Sequence, residues 1–133
     1  MPQLGNISVK DYDGVTDRIY YGLVASGGDK SPALWQNPDY GSASAFRPQL
    51  TVVSRPNGTG TGRRMDFAFT FPEVFVNTFD GSSRVVNKYV ANASILVPQS
   101  MKIETVNAAG AQFGHLMGSA LAVQMLTSGY SAT

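Results

Sequence analysis

A chain of 133 residues suffices for one domain with a real core and falls short of two. A net charge of +1 excludes a uniformly basic nucleic-acid binder, and the lack of cysteine excludes disulfide staples and thiolate chemistry. Charged residues are 14% of the chain, against about a quarter in ordinary domains, so the surface is either buried against other copies or built from Ser, Thr, Asn and Gln.

In chain order, Met1-Pro2-Gln3-Leu4-Gly5-Asn6 has no basic region followed by an apolar run, so no signal peptide is expected. Leu4 to Val9 alternates and meets a turn at Asp11-Tyr12-Asp13-Gly14. Strands are expected over Arg18 to Val24 and Ala33 to Trp35, with loops over Ser26 to Lys30 and Asn37 to Ala45. Phe46 to Arg55 reads as a fourth strand, with Leu50 and Val52 on one face and Gln49, Thr51 and Val53 on the other. The Gly-rich run Pro56 to Gly62 reads as a hairpin connection.

The next strand, Arg63 to Phe71, is the clearest in the chain. Met65, Phe67, Phe69 and Phe71 point to one side, and Arg64, Asp66, Ala68 and Thr70 to the other. Pro72 is expected to close it, Phe75 to Phe79 to form a short strand, and Lys88 to Val97 the last one. Beyond Pro98, Ile103, Val106, Gly110, Phe113, Met117 and Leu121 recur at helical spacing. This predicts a helix to about Met117 with Ser100 as N-cap and Glu104 in the first turn, a kink, and a second helix over Ala120 to Leu126 ended by Gly129. Gly110, Gly114 and Gly118 lie four apart on one stripe, which implies close approach to another surface or a break. The segment from Thr105 to Leu126 carries Asn107, Gln112, His115 and Gln124, too polar for a membrane span. Strands followed by helices indicate an α+β domain, an antiparallel sheet with an N-terminal hairpin and two C-terminal helices. The nearly uncharged helical tail points to a partner subunit.

Catalytic patterns are weak. The single histidine, His115, sits on an apolar, Gly-rich helix and reads as a packed structural residue. Asp11-Tyr12-Asp13-Gly14 lacks the closing glutamate of a calcium loop, and the glycines at 58 to 62 lack the Lys-Ser/Thr ending of a phosphate loop. No catalytic residue, metal site or cofactor is expected. Arg47 and Arg55 lie at the two ends of one strand and Arg63 and Arg64 open the next, so pairing through the 56–62 turn would bring Arg55 and Arg64 together at one end of the sheet, where Lys88 and Asn92 can join. Arginines there reach phosphates, and Thr51, Thr70, Asn92 and Ser94 reach sugars or bases. On residue types alone, a solvated polar sheet face is the plainer account, and Asp66 at its centre counts against simple phosphate binding.

The order of elements resembles the coat proteins of levivirus-type single-stranded RNA bacteriophages across essentially the whole chain. The resemblance rests on Arg63-Arg64 leading to Phe71-Pro72-Glu73-Val74, the loop Thr78-Phe79-Asp80-Gly81, the strand Tyr89 to Pro98, and the ending Ser128-Gly129-Tyr130. It implies one coat-protein domain over residues 1–133. It also implies an intertwined homodimer with a continuous sheet, each subunit's helices lying across its partner's sheet. Dimers would assemble an icosahedral capsid in the bacterial host cytoplasm, with a loop at about Asn77 to Val86 around the symmetry axes. The inner sheet face would bind hairpins of the genomic RNA, packaging the genome and repressing replicase translation.

Carried over residue by residue, the RNA-binding positions fall on Gln49, Thr51, Arg55, Arg64, Asp66, Ala68, Thr70, Val90 and Asn92. Asp66 and Ala68 depart from the basic or hydroxyl groups expected there. Val90 replaces a stacking tyrosine, a contact worth about 1–3 kcal/mol. RNA binding weaker or differently specific than the family's best-known hairpin recognition follows. The alternative is a small dimeric RNA-binding module that forms no shell; an enzyme is not expected.

Overall fold

The computed structural model describes residues 2–41 and 43–133. Six strands, β1 (Ile7–Lys10), β2 (Asp17–Val24), β3 (Ala33–Gln36), β4 (Gln49–Pro56), β5 (Gly62–Val76) and β6 (Ser83–Pro98), precede two helices, α1 (Ile103–Met117) and α2 (Ala120–Ser128). The strands form one antiparallel sheet in sequence order, β1 to β6. Every neighbouring pair is thus joined by a local connection, as short antiparallel links allow. The chain divides into two compact units, residues 1–96 and 97–133. Among the described residues no helix is long and apolar enough to cross a membrane.

In the first unit the β1–β2 turn is held by its own aspartates. The Asp13 carboxylate accepts from the Val15 and Thr16 amides, each at 2.9 Å. These bonds and the Thr16 hydroxyl, foremost among them, hold its carboxyl down at about 2. Gly22 in β2 is where Leu4 crosses, and a Cβ there would lie 2.8 Å from the Leu4 side chain. Trp35 anchors the same N-terminal segment, its indole N–H donating to the Gly5 carbonyl at 2.8 Å.

The apolar face of the sheet follows from register. Leu50 opposes Phe69 and Val52 opposes Phe67 across β4 and β5. Phe69 lies 6.1 Å from the Tyr20 ring and 6.4 Å from Phe71, which Tyr40 meets edge-on at 5.0 Å. Tyr20 and Ala33 are the buried hydrophobic residues of this unit. An open apolar groove of about 300 Å³, lined by Ile7, Val9, Tyr20, Leu50 and Phe69, runs along this face.

Several boundaries differ from those expected. β4 opens at Gln49 and not at Phe46, because Ser44–Phe46 forms a 3-10 turn and Pro48 is fully buried ahead of the strand. The loop expected over 37–45 includes Ser42, which lies outside the described residues. Pro72 does not end β5, which runs on to Val76, so no separate strand forms over Phe75 to Phe79. The ladder with β4 starts at Gln49 opposite Thr70, so beyond Thr70 a missing N–H on that side breaks no strand bond. β6 begins at Ser83, which shortens the preceding turn to Asn77–Ser82, closed by the Asn77 N–H on the Ser82 carbonyl at 2.7 Å. The Asp80 carboxylate accepts from the Ser82 amide at 2.9 Å and fixes that turn.

In the second unit, α1 and α2 occupy nearly the expected spans. Gly118 is the break, capping α1 at the Gly114 and Leu116 carbonyls. Ser119 then caps α2 by accepting from the Ala122 amide, and Gly129 ends it in the left-handed region at φ 78°. Ser100 is not the N-cap of α1. That position is Lys102, without a side-chain bond, and Glu104 supplies the negative charge that favours a helix start. His115 lies in the last turn of α1 and is exposed within the single chain.

Candidate functional site

Residues directly opposed in a ladder share a face. The β4–β5 pairs Gln49–Thr70, Thr51–Ala68, Val53–Asp66 and Arg55–Arg64 therefore build one continuous surface. β6 joins it through the Arg64 Nε–H, which donates to the Ser94 hydroxyl at 2.9 Å. With Ser94 on this face, alternation places Asn92, Val90 and Lys88 on it too. All nine positions carried over from the resemblance, Gln49, Thr51, Arg55, Arg64, Asp66, Ala68, Thr70, Val90 and Asn92, thus share one side of three adjacent strands.

The charged centre is a three-residue cluster. Asp66 lies 3.2 Å from Arg55 Nη2 and 3.5 Å from Arg64 Nε. Partial desolvation pushes its carboxyl up, but the Ser94 hydroxyl and the two guanidinium charges outweigh it and leave the group below 3.8. The carboxylate therefore stays ionised and acts only as an acceptor. Two arginines and one aspartate leave a net single positive charge at this end of the face. The sequence placed Arg47 at the other end of β4. It lies before the strand, and its Nε–H donates to the Gly41 carbonyl at 2.9 Å. Arg63 faces away from the cluster, pairing with Asp29 and donating to the Ser54 hydroxyl at 3.1 Å.

Away from the cluster the face is low and small. Ala68 lies between Thr51 of β4 and the β6 strand, and Val90 is 58% exposed. Gln36, which sequence reasoning passed over, is buried and shapes the far end. Its amide donates to Gln49 Oε1 at 3.3 Å and to the Ser44 hydroxyl at 2.7 Å, fixing how Gln49 presents its own amide. The only sequence signal for it was the alternation Ala33-Leu34-Trp35-Gln36, which cannot by itself reveal that Gln36 opposes Gln49. Among the described residues no group of His, Cys, Asp or Glu side chains gathers in a metal-binding arrangement. The face offers ionic contact, hydrogen bonds and a shallow apolar shelf.

No protein-family model and no curated protein matches the sequence. Solved structures do match in fold. A virus-like particle of Beihai levi-like virus 21 superposes with a TM-score of 0.79 at 18% identity, covering 99% of both chains. A virus-like particle of bacteriophage NT-214 gives 0.77 at 11% identity over 99% of this chain and 100% of that one. The bacteriophage GA protein capsid gives 0.74 at 15% identity, covering 96% of each. The six-stranded antiparallel sheet with two C-terminal helices is therefore the fold of phage coat subunits, as the levivirus-type resemblance implied.

Proposed function

We propose that this chain is a coat protein of a levivirus-type RNA phage, a single domain over residues 1–133 that dimerises and closes into an icosahedral virion capsid. The observation that carries the reading is β6. It is the longest strand, at 16 residues, and it lies at the margin of the sheet with no described strand on its outer side. A long open edge bearing apolar residues pairs indiscriminately unless something covers it. A second copy of the same edge, related by a two-fold axis, satisfies both at once and makes the sheet continuous.

The apolar surface supports the same partner. α1 buries none of its residues, and Ile103, Leu116 and Leu121 are each more than half exposed. The groove along Tyr20, Leu50 and Phe69 is equally open. Helices of the partner lying across this aromatic face would cover both sets. The polar face, Gln49 to Asn92, is then left to the shell interior, where it meets genomic RNA hairpins, packages them, and represses replicase translation. Assembly takes place in the bacterial host cytoplasm.

Expression in bacteria, followed by size-exclusion chromatography and electron microscopy, tests this. Closed particles containing RNA are expected. A stable monomer would overturn the reading. Discrete dimers that bind RNA through Arg55 and Arg64 but never close would establish the smaller RNA-binding module instead.

A further inference from the structure

Asp66 is out of place on a face meant for phosphates, and the structure shows how it is kept there. Its carboxylate is drawn between Arg55 and Arg64, at 3.2 and 3.5 Å, and remains 38% exposed. It is neither neutralised by burial nor hidden beneath its partners. Arg55 meets Oδ2, Arg64 lies against Oδ1 and the Ser94 hydroxyl also donates to the carboxylate, which accepts about four bonds and so keeps acceptor capacity on its exposed side. Beside it along β5 is Ala68, whose methyl leaves a dip opposite Thr51 of β4 on the same face. A flat group laid over Ala68 brings its edge against Asp66.

We infer that Asp66 is the base-specificity residue of this face and selects an unpaired guanine. The inference rests on the reading of the face as RNA-binding. An ionised carboxylate accepts two parallel hydrogen bonds and donates none. Guanine alone among the four bases presents two adjacent donors, N1–H and the N2 amino group, on its Watson–Crick edge. Adenine and cytosine each set one amino donor beside a ring-nitrogen acceptor, and uracil flanks its single N3–H with two carbonyls. Each of these turns a lone pair toward the carboxylate. Arg55 and Arg64 offset the repulsion between Asp66 and the RNA backbone, so the acceptor is tolerated among phosphates. The arginines position the strand and Asp66 reads it, the division between backbone and base contacts that nucleic-acid interfaces share.

The test uses the full-length protein and twelve-residue oligouridylates with one interior guanosine, inosine, adenosine or cytidine, compared by fluorescence anisotropy at one salt concentration. Wild type is expected to bind the guanosine oligomer about tenfold or more tightly than the adenosine one. Inosine, which lacks the N2 amino group, should fall between. D66N should erase the guanosine preference while leaving the affinity for plain oligouridylate equal or higher. Equal wild-type affinity for all four oligomers overturns the inference, and that arm needs no variant. So does a D66N variant that strengthens every oligomer by the same factor, since Asp66 would then act only as a charge. Wild type that binds no oligomer at all removes the RNA-binding reading of the face, and the inference with it.

Discussion

Arg55 and Arg64 stand directly opposite each other across the β4–β5 ladder. Like charges in that position repel and weaken the sheet. Asp66, one pleat along on the same face and in reach of both, is what allows the pair to coexist. D66A should therefore lower the melting temperature at low ionic strength. The deficit should shrink toward 1 M salt, where the screening length falls from about 10 Å to about 3 Å. Replacing Arg64 by glutamine in the D66A background should restore most of the loss, because one of the two repelling charges is gone. A deficit that is unchanged by salt would mean that Asp66 matters for packing and not for charge.

The same arginines set how RNA affinity responds to salt. Each phosphate contact to a single strand contributes about 0.7 to the slope of log affinity against log salt. R55A and R64A should each lower the measured slope by about that amount, while changing affinity for different base compositions alike. The wild-type slope itself should be shallow, since the cluster carries two arginines against one aspartate. If either variant shifts base preference and leaves the slope alone, that arginine reads bases and the division of labour on this face is different.

At the far end of the sheet, Asp13 predicts the behaviour in acid. Its carboxyl is held at about 2 in the folded chain, against 3.8 ordinarily, chiefly by the Thr16 hydroxyl and the Val15 and Thr16 amides. A carboxyl depressed by folding stabilises the fold above its ordinary value, and that contribution is lost as pH falls toward the folded one. D13N should thus melt earlier than wild type at neutral pH. The gap should begin to close below about pH 4 and vanish near pH 2. A gap that persists unchanged at pH 2 would show that the turn is held by something other than the ionised carboxylate.

Legibility followed how local each cause was. The alternation of Met65, Phe67, Phe69 and Phe71 against Arg64, Asp66, Ala68 and Thr70 depends only on pleat geometry, and the β4–β5 register keeps it intact. Helix ends at Gly118 and Gly129 were equally readable: Gly129 occupies the left-handed region that favours glycine, and glycine at 118 is a poor helix former where α1 stops. Pro72 misled because its cost depends on whether a strand lies beside it, and β4 has not yet begun there. The early start of β6 at Ser83 was hidden for the same reason, since polar Ser83-Arg84 becomes strand only by facing the end of β5. Within the site, the nine positions came from resemblance. That Asp66 is held by two arginines, and that Gln36 holds Gln49, are facts of register that no single stretch of sequence contains.

The helical glycines offer the sharpest check on the dimer. A methyl group added at Gly110 or Gly114 would meet nothing within 4 Å, whereas Gly118 is accounted for as the cap of α1. Within one chain, alanine at either position should be beneficial, by about 1 kcal/mol, because glycine is a poor helix former. Two such glycines mid-helix make sense if another subunit's backbone must approach that stripe closely. G110A and G114A should then raise helicity in the unassembled protein, seen by circular dichroism, while cutting particle yield severalfold. Q112A, on the opposite side of α1, is the control and should leave yield unchanged. Should both glycine variants assemble normally and melt higher, the stripe faces solvent in the particle, and the partner's contact with α1 must lie along Ile103, Leu116 and the other exposed apolar side chains instead.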